Sequence, residues 1–263
     1  MGEAWSKLRK RNQAKTKLTE LIDRRDQVVV IHYSCESFYN RPDGSSPRIT
    51  SIAVRNLENA QTKSFSIHQV AERKGHSGTS LEQHYNELEK LMLDEFYEYV
   101  NRHIGYIWLH WNMRDINYGF PAIAHRYRVL GGMPEEFNET KLIDLSRLLT
   151  AFYGDNYIGH PRLKKLTEKN RMTHRDFLDG SAEAEAFSNK EYVRLHQSTL
   201  RKVNVFGSLL ERTVDGSLKT DSTWRDIYGG YPSAGIELIK ENPVISGVVG
   251  LIGFVSSVIG LLK

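Results

Sequence analysis

The chain has a single cysteine, Cys35, in 263 residues. No disulfide can form within it, and no apolar run near its first residues marks a secretory signal, so we expect a protein of the reducing cytosol. Glycine-rich loops of the Walker and dinucleotide-binding types are missing, which argues against the enzymes that use them. The ten histidines have no paired cysteine spacing, and this argues against a structural zinc site.

Apolar residues are present in sufficient number for a full core. At 40% hydrophobic content the chain fits one large domain with appendages. Its charge is uneven, because residues 1–25 carry eight Lys/Arg against three Asp/Glu while the whole chain is only +4. We predict a basic helical segment over residues 1–26. Such a segment can contact nucleic acid or an anionic membrane, but the simpler interpretation, which we prefer, is that it packs its leucines on the body of the protein.

The apolar pattern at the start of the next region predicts strands. Residues 27–33 form an unbroken apolar run, typical of a strand buried on both faces. Residues 49–54 and 63–67 alternate with period two, as half-buried strands do. Three strands in succession indicate an antiparallel meander.

Helices and strands alternate after this meander. Residues 71–78 are interpreted as a polar loop, and Ser80 is expected to cap a long helix over residues 81–102. The further predicted elements are a strand at 106–109, a helix at 115–131, a strand at 141–145, a helix beginning near Gly159 and a helix at 190–212. The apolar residues expected on the inward face of the last helix are Leu195, Val203, Phe206 and Leu210. This is the element order of an α/β, ribonuclease H-like core.

Four local sequences carry a resemblance to a known family. Residues 118–132 (YGFPAIAHRYRVLGG) resemble the second motif of the DEDD-type 3′-5′ exonucleases, 142–148 the strand after it, 160–166 the next basic segment and 196–211 the last catalytic helix. The resemblance covers residues 27–213. It implies a ribonuclease H-like mixed sheet, with three antiparallel strands, then parallel strands, and flanking helices. It also implies phosphodiester hydrolysis with two Mg²⁺ or Mn²⁺ ions held by carboxylates.

The carboxylates that this family uses are mostly replaced. Its first Asp-x-Glu falls on Ser34-Cys35-Glu36, its second-motif Asp on Gly119 and its last-helix Asp on Leu200. Three of the four positions therefore lack the anionic oxygen that hard cations require. The resemblance thus implies a catalytically degenerate member.

One alternative retains an enzyme. On the predicted helix Asp115 lies one turn before Gly119 and shares its face, and Asp144 lies in the next predicted strand. The candidate catalytic residues are then Glu36, Asp115 and Asp144, in a membrane-tethered, metal-dependent 3′-5′ exonuclease. The simpler interpretation makes Asp115 a cap or first-turn acid of its helix.

A degenerate fold can keep its groove. In segments that line or flank the family's nucleic-acid cleft, the candidate binding residues are His110, Asn112, Arg126, Arg162, Lys164, Lys165 and Arg201. Lys202 lies in the same segments, and Trp108, Trp111 and Tyr118 are candidate stacking platforms for bases. The alternative is that the cations cover solvated helix faces and that the tryptophans belong to the core.

Twenty uncharged residues, 243–262, precede the final lysine. At about 1.5 Å rise per residue, a helix of this length reaches the roughly 30 Å needed to cross a bilayer. Small residues recur at spacings of three and four, which permits close helix contact in lipid; they are Ser246, Gly250, Gly253, Ser257 and Gly260. We predict a membrane-inserting helix at 242–263 after a linker at 214–241, with a buried helix packed on the domain as the alternative.

These features favour a catalytically degenerate exonuclease-like domain that binds nucleic acid or a protein partner and carries a self-associating membrane tail. The architecture resembles that of bacterial defence effectors in which a soluble sensor controls membrane damage. We therefore expect a cytoplasmic domain that associates with the membrane through the tail, and a homo-oligomer. The other hypotheses are an active exonuclease that uses Mg²⁺ or Mn²⁺, and an interaction scaffold that uses neither nucleic acid nor metal.

Overall fold

A five-stranded mixed sheet forms the centre of the protein. The computed structural model describes residues 2–36, 46–172, 175–223 and 226–227, with the backbone alone for residues 2–5. The strands are β1 (Val28–Cys35), β2 (Ile49–Asn56), β3 (Thr62–Ser66), β4 (Ile107–His110) and β5 (Leu142–Asp144). They lie in the order β3-β2-β1-β4-β5. The first three strands pair antiparallel, whereas β4 runs parallel to β1 and β5 runs parallel to β4, which confirms the predicted α/β class with a mixed sheet.

The described residues form nine α-helices. They are α1 (Gly2–Asp23), α2 (Ile67–Lys74), α3 (Thr79–Gln83), α4 (Tyr85–Arg102), α5 (Phe120–Val129), α6 (Leu145–Tyr153), α7 (Arg162–Lys169), α8 (Gly180–Ser188) and α9 (Tyr192–Val214). The chain divides into two compact units, one of residues 1–17, 149–159 and 220–263, the other of residues 18–148 and 160–219. The second unit contains the whole sheet. In the first, the Arg11 guanidinium lies 4.6 Å from the centre of the Phe152 ring.

Side chains of β1 are buried at all eight positions, because helices cover both faces of the sheet. On one face Ile31 and Tyr33 join the apolar cluster that α2, α4 and α5 also build. On the other face His32 and Ser34 meet α9, where the His32 ring contacts the Phe206 ring edge-on at 5.6 Å. The predicted inward face of α9 is confirmed, since Leu195, Val203, Phe206 and Leu210 are fully buried.

Two predicted boundaries after β3 are wrong. The loop predicted at 71–78 is in its first half the end of α2, whose Ile67, Val70 and Ala71 are buried; the helix begins on the residue that had been counted as the end of a strand. The single helix predicted at 81–102 is divided at His84 into α3 and α4, and Gly78 rather than Ser80 is the N-cap residue.

The helix predicted from residue 115 begins later, at Phe120. Residues 111–119 form a turn that is closed by an antiparallel bridge between Arg114 and Gly119. Asp115 and Gly119 therefore do not share a helix face, and Asp115 is neither a cap nor a first-turn acid. The strand predicted at 141–145 ends at Asp144, because α6 begins at the next residue and Asp144 Oδ1 accepts from the Ser146 N–H at 2.9 Å.

Among the helices of the described residues, none combines the length and the apolar character that crossing a bilayer requires. The predicted membrane helix at 242–263, with its small residues Ser246, Gly250, Gly253, Ser257 and Gly260, lies outside the described residues. Most of the predicted linker at 214–241 lies outside them as well. These expectations stay predictions.

Candidate functional site

The carboxyl end of β1 is where the resemblance locates the first metal-binding carboxylate, and Ser34 occupies it. This residue is fully buried on the α9 face of the sheet. Its hydroxyl donates to Glu183 Oε1 of α8 at 2.9 Å, and the Thr199 hydroxyl of α9 lies 3.0 Å away. Thr199 Oγ1 is also 2.7 Å from Ser51 Oγ on β2. The strand end is thus tied to two helices and to the neighbouring strand by hydroxyl groups.

A buried ion pair completes this arrangement. Lys202 Nζ lies 2.7 Å from Glu183 Oε1, and the two residues are only 5% and 0% exposed. The Ser198 hydroxyl donates to the same oxygen at 3.2 Å. We call the residues that share these contacts the Lys202 cluster; they are Ser34, Ser51, Glu183, Ser198, Thr199 and Lys202. Leu200, where the family's last carboxylate would fall, does not belong to it.

Aromatic residues close the cluster on the side of the 111–119 turn. The Tyr118 hydroxyl donates to the carbonyl of Tyr33 at 3.2 Å and lies 3.2 Å from His32 Nδ1. Burial, and secondarily the charge of Lys202, lower the pKa of His32 well below its ordinary value. Burial raises the pKa of Tyr118. Both side chains are therefore neutral at neutral pH, and Lys202 and Glu183 are the charged partners here.

Gly119, the position of the second-motif carboxylate, has no room for a side chain. A Cβ atom added there would lie 2.4 Å from the carbonyl carbon of Met113, far closer than such atoms approach each other. Its N–H donates to the Tyr33 hydroxyl at 3.0 Å, which fixes the turn against β1. An aspartate at this position would require the turn to be rebuilt.

The three candidate catalytic carboxylates are each engaged locally. Glu36 Oε2 accepts from the Arg48 N–H at 3.3 Å. Asp115 Oδ1 accepts from the backbone N–H groups of Asn117 and Tyr118, both at 2.9 Å, within its own turn. Asp144 caps α6, and its Oδ2 lies 3.0 Å from Arg114 Nε in an ion pair whose N–H is not directed at that oxygen.

Oxygen ligands for a pair of divalent ions are not assembled here. In the ranges that the structure describes, no three His, Cys, Asp or Glu side chains form a group able to hold a metal ion. At the end of β1 the carboxylate oxygen that Ser34 contacts is already bound by an ammonium group. Mg²⁺ and Mn²⁺ need anionic oxygens, so the residues of the Lys202 cluster do not fit the two-metal centre of the family.

The candidate nucleic-acid-binding residues fall into three groups by exposure. Asn112, Lys164 and Lys165 are exposed, and Arg162 and Arg201 are half-buried. His110 and Arg126 are buried. The structure thus leaves five of these seven side chains wholly or partly accessible.

The two buried candidates have structural partners. His110 Nδ1 accepts from the Met113 N–H at 3.2 Å, and burial lowers the pKa of His110 to about 4 although the charge of Asp144 opposes the shift. The Arg126 guanidinium donates to both carboxylate oxygens of Glu89, with a closest contact of 2.5 Å. It also donates to Asn86 at 2.8 Å and to Ser46 at 3.3 Å. We call Ser46, Asn86, Glu89 and Arg126 the Arg126 cluster.

Sequence reasoning missed Glu183 altogether. No element was predicted around it, and a lone glutamate in a helix of mixed composition gives no signal. The sequence predicts Lys202 as a cation of the groove, whereas the structure buries it against Glu183. One signal was available in the sequence. Ser198 and Lys202 are one helical turn apart on the face that carries Leu195, and this spacing places polar side chains among core positions.

Comparison of the chain with protein-family models, with curated proteins and with solved structures finds no match in any of the three.

Proposed function

We propose that residues 27–213 are a ribonuclease H-like domain, similar to the DEDD-type exonucleases, that binds single-stranded nucleic acid without hydrolysing it. The observation that carries this proposal is the buried contact of Lys202 Nζ with Glu183 Oε1, 2.7 Å long, beside Ser34. The Lys202 ammonium group is paired with the Glu183 carboxylate, at the place where the family would bind a metal ion. The domain then works by binding, and residues 242–263 connect it to a membrane.

The strand arrangement supports the relation to ribonuclease H-like proteins. Three antiparallel strands are followed by two parallel ones in the order β3-β2-β1-β4-β5, with β1 central and β4 parallel to it. Fold alone does not assign an activity. The proposed function therefore depends on the residues at this end of the sheet.

Loss of hydrolysis follows from three positions. Ser34 provides a neutral hydroxyl, Gly119 cannot accept a side chain, and Leu200 provides no oxygen. Two-metal hydrolysis needs several carboxylates directed at one pair of ions. In the part of the chain that the structure describes, these positions do not supply them.

Binding would depend on phosphate contacts rather than on stacking. Lys164 and Lys165 are exposed on α7, and Arg162 and Arg201 are accessible in part. Trp108 and Trp111 are buried, and Trp111 is stacked on Phe206, so they cannot receive bases. Affinity that comes from phosphate neutralisation is tolerant of sequence and falls steeply with salt.

Fluorescence anisotropy with a labelled single strand tests this proposal. We expect the logarithm of the binding constant to fall linearly with the logarithm of the salt concentration. The double variant Lys164→Glu/Lys165→Glu should lose at least about tenfold in affinity, because two attractive phosphate contacts become repulsive. The matched control is Lys74→Glu, which reverses an exposed lysine on α2 and should bind with nearly unchanged affinity.

Two outcomes contradict the nucleic-acid proposal. Absence of binding at low salt would favour a protein partner or a scaffold. A loss of affinity per reversed charge that is the same in Lys74→Glu as in the α7 double variant would show that only the overall charge matters.

The membrane part of the proposal has its own test. The full chain and a chain that ends at Glu241 should separate on membrane fractionation, with the full chain in the membrane pellet and the shorter one in the supernatant. Twenty uncharged residues support this expectation. If both chains stay in the supernatant under every condition tried, including with nucleic acid bound, the insertion proposal fails.

A further inference from the structure

Two histidines from different helices lie against each other outside the Lys202 cluster. His68 is on α2 and His196 is on α9, and their ring centres are 5.0 Å apart with the planes at 50°. His196 is only 6% exposed, and His68 is half-buried. Both side chains extend from helices that pack on the same sheet.

Each ring has a buried nitrogen without a partner. Within the described residues, His68 Nδ1 and His196 Nε2 are both buried and neither has a hydrogen-bond partner. Buried polar atoms are nearly always paired with protein, water or an ion. Two such nitrogens on rings whose centres are 5.0 Å apart are both available to one ligand.

The protonation state of the rings suits a metal ion. Burial lowers the pKa of His196 to about 4 and also lowers the pKa of His68. Both imidazoles are therefore neutral at neutral pH, the form that coordinates metals. Neutral imidazole is the preferred ligand of zinc, copper and nickel and a poor one for Mg²⁺.

We propose that His68 and His196 bind one transition-metal ion of the zinc, nickel or copper class, through Nδ1 of His68 and Nε2 of His196. Two protein ligands leave coordination positions for water, because no third His, Cys, Asp or Glu joins them among the described residues. Glu72, one helical turn after His68, provides a nearby negative charge that favours a cation. The site is independent of nucleic-acid binding and of the candidate carboxylates Glu36, Asp115 and Asp144.

A second histidine pair in the same chain provides the control. His76 and His84 are stacked with ring centres 4.3 Å apart. Their Nδ1 atoms already have partners, since His76 Nδ1 lies 2.7 Å from Ser80 Oγ and His84 Nδ1 lies 2.9 Å from the Ser80 carbonyl oxygen. Proximity of two imidazoles is common to both pairs, whereas unpartnered buried nitrogens distinguish the first.

Isothermal titration of the full chain with Zn²⁺ after removal of bound metal, followed by Co²⁺ absorption spectroscopy, tests the proposal. We expect about one ion per chain, and a d–d spectrum of low-symmetry Co²⁺ with nitrogen ligands. His68→Gln should weaken binding by at least about tenfold, since even the loss of an outer-shell partner has an effect of that size. The double variant His76→Gln/His84→Gln should bind as the wild type does.

His68→Gln carries the test if His196→Gln fails to fold, because His68 is half-buried and its replacement leaves α9 intact. Circular dichroism confirms that each variant used is folded. The absence of saturable binding of Zn²⁺, Ni²⁺ or Cu²⁺ would overturn the proposal. Unchanged affinity in folded His68→Gln, or an equal loss in the His76/His84 control, would also overturn it.

Discussion

Buried ion pairs lie on both faces of the sheet, and they differ in how completely they are bonded. In the Arg126 cluster, Glu89 accepts three guanidinium hydrogen bonds and the Ile49 N–H at 2.7 Å, so both of its oxygens are satisfied. In the Lys202 cluster the ammonium and two hydroxyls all meet Glu183 Oε1. Glu183 Oε2 is buried and has no partner within the described residues.

The difference lies in the geometry of the two pairs. A guanidinium group matches a carboxylate with two parallel hydrogen bonds and fixes its geometry, whereas a lysine supplies a point charge on a flexible stem. The Arg126 pair therefore joins α4 to α5 as part of the core. The Lys202 pair neutralises a carboxylate beside Ser34, where our proposal locates a lost metal site.

Breaking the Arg126 pair should have the largest effect. Arg126→Leu leaves Glu89 buried without its partner, and we expect a loss of about 3 to 5 kcal/mol in the free energy of unfolding. Urea denaturation measures it. The control Arg128→Leu, at an exposed position of the same helix, should stay within about 0.5 kcal/mol of the wild type. Similar losses in the two variants would show that the ion pair is not the cause.

Removing the Lys202 charge should cost less, and the loss should be recoverable. Lys202→Met leaves Glu183 buried, and we expect a loss of about 3 kcal/mol. The double variant Lys202→Met/Glu183→Leu removes both charges together and should recover part of that loss, although the Ser34 and Ser198 hydroxyls lose their acceptor. Urea denaturation of the two variants compares their free energies of unfolding. A double variant that is less stable than the single variant would mean that the ion pair itself stabilises the fold.

Mild acid should lower the free energy of unfolding through His32, whose pKa the charge of Lys202 helps to lower. Burial and the charge of Lys202 lower the pKa of His32 from its ordinary 6.5, so the unfolded chain takes up a proton there before the folded chain does. Stability is then complete above about pH 6.5 and is lost as the pH falls, by up to about 1.4 kcal/mol per pH unit. His32→Gln should reduce the slope of unfolding free energy against pH by up to one proton. An unchanged slope would contradict this account of His32.

Single hydroxyl contacts should give the smallest effect. Ser34→Ala removes a hydrogen bond to Glu183, which is fully buried and cannot replace that bond with one to water. We therefore expect a loss of about 1 to 2 kcal/mol in the free energy of unfolding. Asn86→Ala in the Arg126 cluster removes a bond at an exposed residue and should cost less than about 0.5 kcal/mol. Thermal unfolding of both variants compares them, and the reverse order would contradict the burial argument.

Strong apolar patterns explain which elements the sequence predicted well. The unbroken apolar run of β1 and the helical period of apolar residues in α9 both correspond to buried positions. The 111–119 turn did not follow, because its form depends on contacts from distant residues, such as the Gly119 N–H to the Tyr33 hydroxyl. The ion pair did not follow either, because it depends on Glu183, 149 residues from Ser34.

The central claim is that Lys202 and Glu183 occupy the place of a metal centre, so that the domain binds nucleic acid without cutting it. The most direct test is a time course of the purified full chain with an end-labelled single strand and Mg²⁺ or Mn²⁺, resolved on a denaturing gel. We predict that the strand keeps its full length under conditions where anisotropy shows it bound. Progressive shortening from the 3′ end that disappears in Glu36→Ala would contradict the claim.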